Sequence, residues 1–234
     1  MKRIMLLLLA LCFLLAGCSG TAGKAETEIN AQESVAETPV AETAPVEENT
    51  APATVIYPLP DNTMENLSDA IFHVSLAEED AYVDDTGKMQ MDLVIYSYDK
   101  YDMVDIAMLK EGDILAGYAG EVEVVSIERK DSGSVAINGG LEAGGFDLVT
   151  EDNGIFYECG YNDAKNWYVA GEATIRVSAD FEYHDSSDLD SEEIVYYPGS
   201  FLVGEVTDYN FNPRNTTVRV ENGQIIEMYR VYVP

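Results

Sequence analysis

From about Ile56 to the C-terminus, apolar and polar residues alternate in short runs broken by turn residues. The clearest run is Glu172–Phe181, where Ala173, Ile175, Val177, Ala179 and Phe181 interleave with Glu172, Thr174, Arg176, Ser178 and Asp180. Successive strand side chains point to opposite faces, so this pattern predicts a half-buried strand. Glu121–Glu128 alternates too, and its phase slip at Val124-Val125 predicts a β-bulge. Gln90–Tyr98 predicts a third strand, joined to Ile71–Ala77 across the turn-rich Asp84-Asp85-Thr86-Gly87. Asn222-Gly223 between Thr216–Glu221 and Gln224–Val233 predicts a hairpin, because a type I′ turn needs positive φ at both central residues. Asp152-Asn153-Gly154 predicts a second hairpin, from Phe146–Glu151 to Ile155–Cys159, and Pro198-Gly199 suits the centre of a type II turn.

Helical signals are few. Thr63–Ile71 predicts a short helix capped by Asn62 or Thr63, with Leu67, Ala70 and Ile71 on one face. Met103–Leu109 fits helix and strand equally. About ten strands without βαβ alternation predict an all-β class: one antiparallel domain, barrel-like or sandwich, with at most one or two short helices. Gly112, Gly117, Gly120, Gly139, Gly140, Gly144 and Gly145 favour the barrel by easing tight bends.

The N-terminus has a different character. Met1-Lys2-Arg3 precedes the apolar run Ile4–Ala16, then Gly17-Cys18-Ser19-Gly20. At 13 residues the run is too short to span a bilayer, which takes about 20, and matches a signal h-region of about 7–15. Leu15-Ala16-Gly17-Cys18 resembles the lipobox of bacterial lipoproteins. The resemblance covers only this leader. It implies a signal peptide at residues 1–17 and a thioether-linked diacylglycerol on Cys18, often with an added acyl chain. The protein is then held to the cell membrane by lipid and faces outside the cytoplasm. Two chains satisfy the two-signal requirement for stable anchoring. Ordinary secretion with cleavage near Ala16-Gly17 is the rival reading.

Residues 19–55 contain near-repeats, Val35-Ala36-Glu37-Thr38-Pro39 and Val40-Ala41-Glu42-Thr43-Ala44-Pro45, and no aromatic residue. Such a stretch buries too little apolar surface to offset its ordering entropy, so 18–55 is expected to be the lipidated Cys and a disordered acidic spacer. Extended polyproline II at ~3.1 Å per residue would reach on the order of 110 Å. The folded domain is expected at 56–234.

Charge narrows the function. The chain has 13 Lys and Arg against 43 Asp and Glu, a net charge of −30. Loss of Lys2 and Arg3 with the signal leaves 11 against 43, or −32. Nucleic-acid binding needs a basic footprint, so that class is excluded. An anionic bilayer repels such a domain, leaving lipid as its membrane contact. The cysteines are Cys12, Cys18 and Cys159, and only Cys159 remains beyond the anchor, so no internal disulfide is expected.

Enzyme motifs are absent from the sequence. There is no Gly-x-Ser-x-Gly elbow, no His-Glu-x-x-His, and no Lys-Ser/Thr ending to the glycine-rich Asn138–Gly145. Two histidines, His73 and His184, and one remaining cysteine make a thiol nucleophile or closed zinc site an unfavoured reading. Seven of the 43 acids lie in the spacer, leaving 36 in the domain. A carboxylate pair for an envelope hydrolase acting on glycans is therefore the alternative function, although so many acids produce pairs by chance.

Two binding candidates stand out. Asp185, Asp188, Asp190 and Glu192 crowd one loop, and calcium favours clustered carboxylates. Glu78-Glu79-Asp80 with Asp84 and Asp85 is a weaker second cluster. No other cofactor is indicated. Tyr157, Tyr161, Trp167 and Tyr168 bracket the turn-forming Asn162–Asn166 and include the only Trp. Aromatic faces with neighbouring amides suit a sugar or peptide. The expected function is a non-catalytic binding or structural module, with a cell-envelope glycan or a basic protein as partner.

Overall fold

The architecture rests on one unusually long strand. In the computed structural model, which describes residues 52–150, 154, 156–161 and 164–233, the alternating run of Glu172–Phe181 extends in both directions into a 19-residue strand, Tyr168–Ser186. That length gives it two different neighbours on the two halves.

In chain order the strands are β1 (Val55–Ile56), β2 (Ala70–Ser75), β3 (Ala81–Val83), β4 (Met89–Ser97), β5 (Lys100–Asp102), β6 (Ile114–Gly117), β7 (Gly120–Glu123) and β8 (Ile127–Arg129). There follow β9 (Val135–Ile137), β10 (Phe146–Thr150), β11 (Phe156–Cys159), β12 (Tyr168–Ser186), β13 (Ile194–Tyr196), β14 (Thr216–Glu221) and β15 (Gln224–Val231). Two short helices, α1 (Met103–Met108) and α2 (Pro198–Leu202), complete the regular structure with three single 3-10 turns. The fold is all-β, as the alternation predicts.

Five of these strands pair in a closed circuit. The first half of β12 runs antiparallel to β4, and its second half runs parallel to β15. β15 pairs with β14, β14 with β2, and β2 with β4, which returns to β12. The spatial order β14-β2-β4-β12 is a Greek key, and β15 closes it. Numbered within the ring, the order is 1-2-3-5-4, a small five-stranded Greek-key barrel. Closure removes edges that would otherwise offer unpaired backbone groups.

The barrel encloses one core. β4 alternates buried and half-buried positions along its length, sending Met89, Met91, Leu93 and Ile95 inward. They meet Phe72 and Val74 of β2, Ile175, Val177, Phe181 and Tyr183 of β12, Val218 and Val220 of β14, and Ile225 and Met228 of β15. Phe201 of α2 plugs one end, with ring centroids 6.0 Å from Phe181 and 5.6 Å from Tyr183.

Between the second and third barrel strands the chain departs for residues 98–167. This insertion builds a second core from Tyr101, Ile106, Leu109, Leu115, Val124, Val135, Ile137 and Leu148. It carries a five-stranded sheet, β5-β11-β10-β9-β8, and a three-stranded sheet, β1-β6-β7. Ile56 joins the same core, so β1 docks on the insertion before the chain enters the barrel. The C-terminal carbonyls of α1 are closed by Arg129, whose Nη2 donates to Ile106, Ala107 and Leu109.

Several local expectations are corrected. The helix expected at Thr63–Ile71 shrinks to a 3-10 turn at Thr63–Glu65, because Ala70 and Ile71 are recruited as strand partners of Val220 and Arg219. The expected bulge at Val124-Val125 is a break between sheets: β7 pairs with β6, while β8 pairs with β9. Asn138 bridges the break, accepting from the Val125 and Ser126 amides and donating to the Glu123 carbonyl. Pro198-Gly199 opens α2 with Pro at its first turn, where a missing N–H costs nothing. Met103–Leu109 resolves to α1, capped by Asp102, whose Oδ1 accepts from Val104 at 2.7 Å. Among the described residues, fifteen strands replace the expected ten, and β1–β6 and β12–β15 are parallel pairings in an otherwise antiparallel set. The Asn222-Gly223 hairpin forms as expected, with φ of 51° and 70°. The strands of the second expected hairpin also pair, and their turn residues 151–153 lie outside the described residues.

Candidate functional site

The insertion leaves and rejoins the barrel through a narrow neck, and the neck is aromatic. Ser97 and Tyr168 are register partners on β4 and β12. One residue further out on each side, Tyr98 and Trp167 meet edge to face with centroids 5.0 Å apart. Under them lies His73 of β2, whose ring centroid is 4.5 Å from Trp167. His73 Nδ1 lies 2.8 Å from the Pro213 carbonyl, which only accepts, so Nδ1 carries the proton and donates. Burial pushes the His73 pKa down to about 4, against the pull of the Pro213 carbonyl. The imidazole is therefore neutral at ordinary pH.

Beside the neck sits a buried ion pair. Lys165 Nζ is 3.0 Å from Glu158 Oε1, and the Lys165 side chain is 6% exposed. The ammonium also lies 4.1 Å from the Tyr98 ring centroid and 5.6 Å from that of Trp167. Lys100 stands over the Tyr98 and Phe156 rings, 4.9 Å from each centroid. Such contacts stabilise by roughly 0.5–2 kcal/mol each.

Trp167 lines a groove of about 640 Å³ together with Tyr118, Lys165, Asn166, Asn212 and Arg214. Tyr118 is 68% exposed and stacks on Tyr168 at 4.6 Å. The groove thus joins aromatic faces to two amides and two cations in an otherwise acidic protein. Its walls come from the insertion, from the neck, and from the loop before β14.

The four aromatic residues expected to form one site are divided by the structure. Trp167 and Tyr168 belong to the neck and its rim. Tyr157 does not line the groove: it packs on the core of the insertion and its hydroxyl donates to Gly133 O at 2.9 Å. Tyr161 does not line it either, and its carbonyl accepts from Ala164 and Lys165. His73, Tyr98, Tyr118, Asn212 and Arg214 were not among the expected residues. They come from distant parts of the chain, and only the unusual His73 within an apolar run marks one of them locally.

The acidic loop is differently employed. Asp185 receives Arg230 through Nε at 3.1 Å and Nη2 at 2.6 Å. Burial pushes the Asp185 carboxyl up, and the bonds from Arg230 and Ser187 outweigh it and hold the group below its ordinary value. Asp188 accepts from the Asp190 amide and the Ser191 hydroxyl, closing a turn. Asp190 and Glu192 are exposed. In the second cluster, Asp80 accepts from the Ala77 amide and Asp84 from Thr86 and Lys88. Among the described residues, no three His, Cys, Asp or Glu are placed to hold a metal ion. Cys159 is a free, half-buried thiol whose pKa burial pushes up, the opposite of an activated nucleophile. Cys18 lies outside the described residues.

Compared with known proteins, the chain matches no family model, no curated protein and no solved structure. Its class is defined by its own topology: a five-stranded barrel with a large module inserted between the second and third strands.

Proposed function

We propose that this protein is a lipid-anchored extracytoplasmic binding module that holds a cell-envelope glycan in the Trp167 groove without turning it over. The observation that carries the reading is the groove itself, where Trp167 and Tyr118 stand beside the amides of Asn166 and Asn212. Aromatic faces take the apolar faces of sugar rings, and amides satisfy their hydroxyls. The lipobox-like Leu15-Ala16-Gly17-Cys18 and the acidic spacer support presentation outside the cytoplasm. A net charge of −30 opposes a nucleic-acid partner.

Two experiments test this reading. Cys18→Ser should abolish incorporation of labelled fatty acid, and continued labelling overturns the anchor. Titration of the mature chain with soluble cell-wall glycan fragments should show saturable binding. Asn212→Ala and Trp167→Ala should each weaken it more than tenfold, about 1.4 kcal/mol. Absence of binding overturns the glycan reading. Release of new reducing ends, lost in Asp99→Asn or Glu121→Gln, would replace it with carboxylate hydrolysis.

A further inference from the structure

Next to the groove, sharing Ala119, Lys165 and Asn166 as a common wall, lies a second and narrower cavity of about 340 Å³. Its volume is at the small end of ligand pockets. The walls are mainly apolar and belong to the core of the insertion: Tyr101, Leu115 and Leu148 are 6%, 2% and 1% exposed. Tyr98 and Phe146 add further rings.

The charges at this cavity do not balance. Asp99 and Glu121 both line it, and among the described residues neither forms an ion pair. Among the described residues of the lining the one cation is Lys165, which is neutralised by Glu158. Asp99 Oδ2 accepts from the Tyr118 amide at 2.9 Å. Desolvation nevertheless raises the Asp99 pKa, so the carboxylate is held at a cost that a bound cation would offset. The backbone is shaped to this carboxylate. A Cβ at Gly117 would lie 2.5 Å from Asp99 Oδ2 and 3.2 Å from Tyr101 Oη.

We propose that this cavity is a binding site for a small organic ammonium ion. The half-buried Asp99 carboxylate beside aromatic rings, with the exposed Glu121 at the rim, favours a desolvated ammonium through charge and cation–π attraction. The apolar walls favour the carbon body of such a ligand over a bare calcium or magnesium ion, which needs six or more oxygens. The strongly negative chain concentrates cations near it. This site lies across the shared wall from the glycan groove, and the proposal does not rest on glycan binding.

The sole tryptophan, Trp167, lies beside Lys165 and serves as the reporter. The mature chain is titrated with phenethylamine and tetramethylammonium, followed by tryptophan fluorescence and calorimetry. Phenylethanol and phenylacetate are the neutral and anionic controls. Both ammonium probes should bind saturably, phenylethanol at least tenfold more weakly, and phenylacetate not at all. Asp99→Asn keeps an acceptor for the Tyr118 amide and should weaken amine binding at least tenfold at an unchanged melting temperature. Asn212→Ala, in the groove, should leave amine binding unchanged, which separates this proposal from the glycan reading. Equal binding of phenylethanol, or full amine affinity in Asp99→Asn, overturns the proposal. If Asp99→Asn does not fold, Leu141→Trp at the exposed rim blocks the cavity instead, and undiminished amine binding there overturns it equally.

Discussion

Lys165 reaches Glu158 across 3.0 Å with both side chains largely withdrawn from water, at 6% and 14% exposure. The pair is incompletely satisfied, since Glu158 Oε2 is buried with no hydrogen-bond partner among the described residues. Removing one charge leaves the other buried alone. Lys165→Met should therefore destabilise the protein by about 3 kcal/mol in urea denaturation. Lys165→Met with Glu158→Leu should recover most of that loss, because both desolvation costs then disappear. A double variant as unstable as the single one would show that the pair itself stabilises the neck.

His73 should make stability depend on acid. Its folded pKa of about 4 lies below the ordinary 6.5, so the unfolded chain binds its proton first. The contribution is fully present above about pH 6.5 and is lost as pH falls toward 4, reaching about 3 kcal/mol. His73→Phe should flatten this part of the profile relative to the parent protein. Equal slopes for the two proteins between pH 4 and 6.5, measured by chemical denaturation, would contradict the buried neutral imidazole.

The Arg230–Asp185 pair should dominate the behaviour of the acidic loop. Arg230 is 4% exposed and its guanidinium also donates to the Asp208 carbonyl. Asp185→Asn should cost about 2–3 kcal/mol. With Asp185 occupied by Arg230, millimolar calcium should raise the melting temperature no more than magnesium does. A calcium-specific rise abolished by Asp188→Asn with Asp190→Asn would place a calcium site in this loop.

Two glycines should respond oppositely to the same change. Gly223 has φ of 70° in the terminal hairpin, so Gly223→Ala should destabilise by about 1 kcal/mol. Gly199 lies within α2, and a Cβ there meets nothing within 4 Å. Gly199→Ala should be neutral or stabilising by about 0.5 kcal/mol. Equal losses at both sites would argue for the type II turn at Pro198-Gly199.

Much of the fold was legible locally. The alternation in Glu172–Phe181 set its inward face correctly at Ile175, Val177 and Phe181, and Gln90–Tyr98 was legible as a strand, forming β4 at Met89–Ser97. Ala179 was the exception. It is exposed where β12 irregularly passes from Val177 to Glu182 against β15, a break that no local alternation records. The Thr63–Ile71 helix failed because a pattern of apolar residues three and four apart was weaker than the pairing of β2 to β14, which takes Ala70 and Ile71 with Phe72 and His73. Propensity is a small local term, and long-range pairing overrides it.

The sequence alone determined the all-β class, the terminal hairpin and the acidic character. Those follow from side-chain alternation, from the positive φ that Asn222-Gly223 accepts, and from composition, all of which act over a few residues. Tertiary structure decided the closed circuit of β2, β4, β12, β15 and β14, the inserted module with its own core, and the meeting of His73, Tyr98 and Trp167. His73 and Trp167 stand 94 positions apart in the chain. Their contact exists because β2 and β12 flank β4 on opposite sides, and such a pairing depends on which strands bury each other's faces rather than on any neighbouring residue.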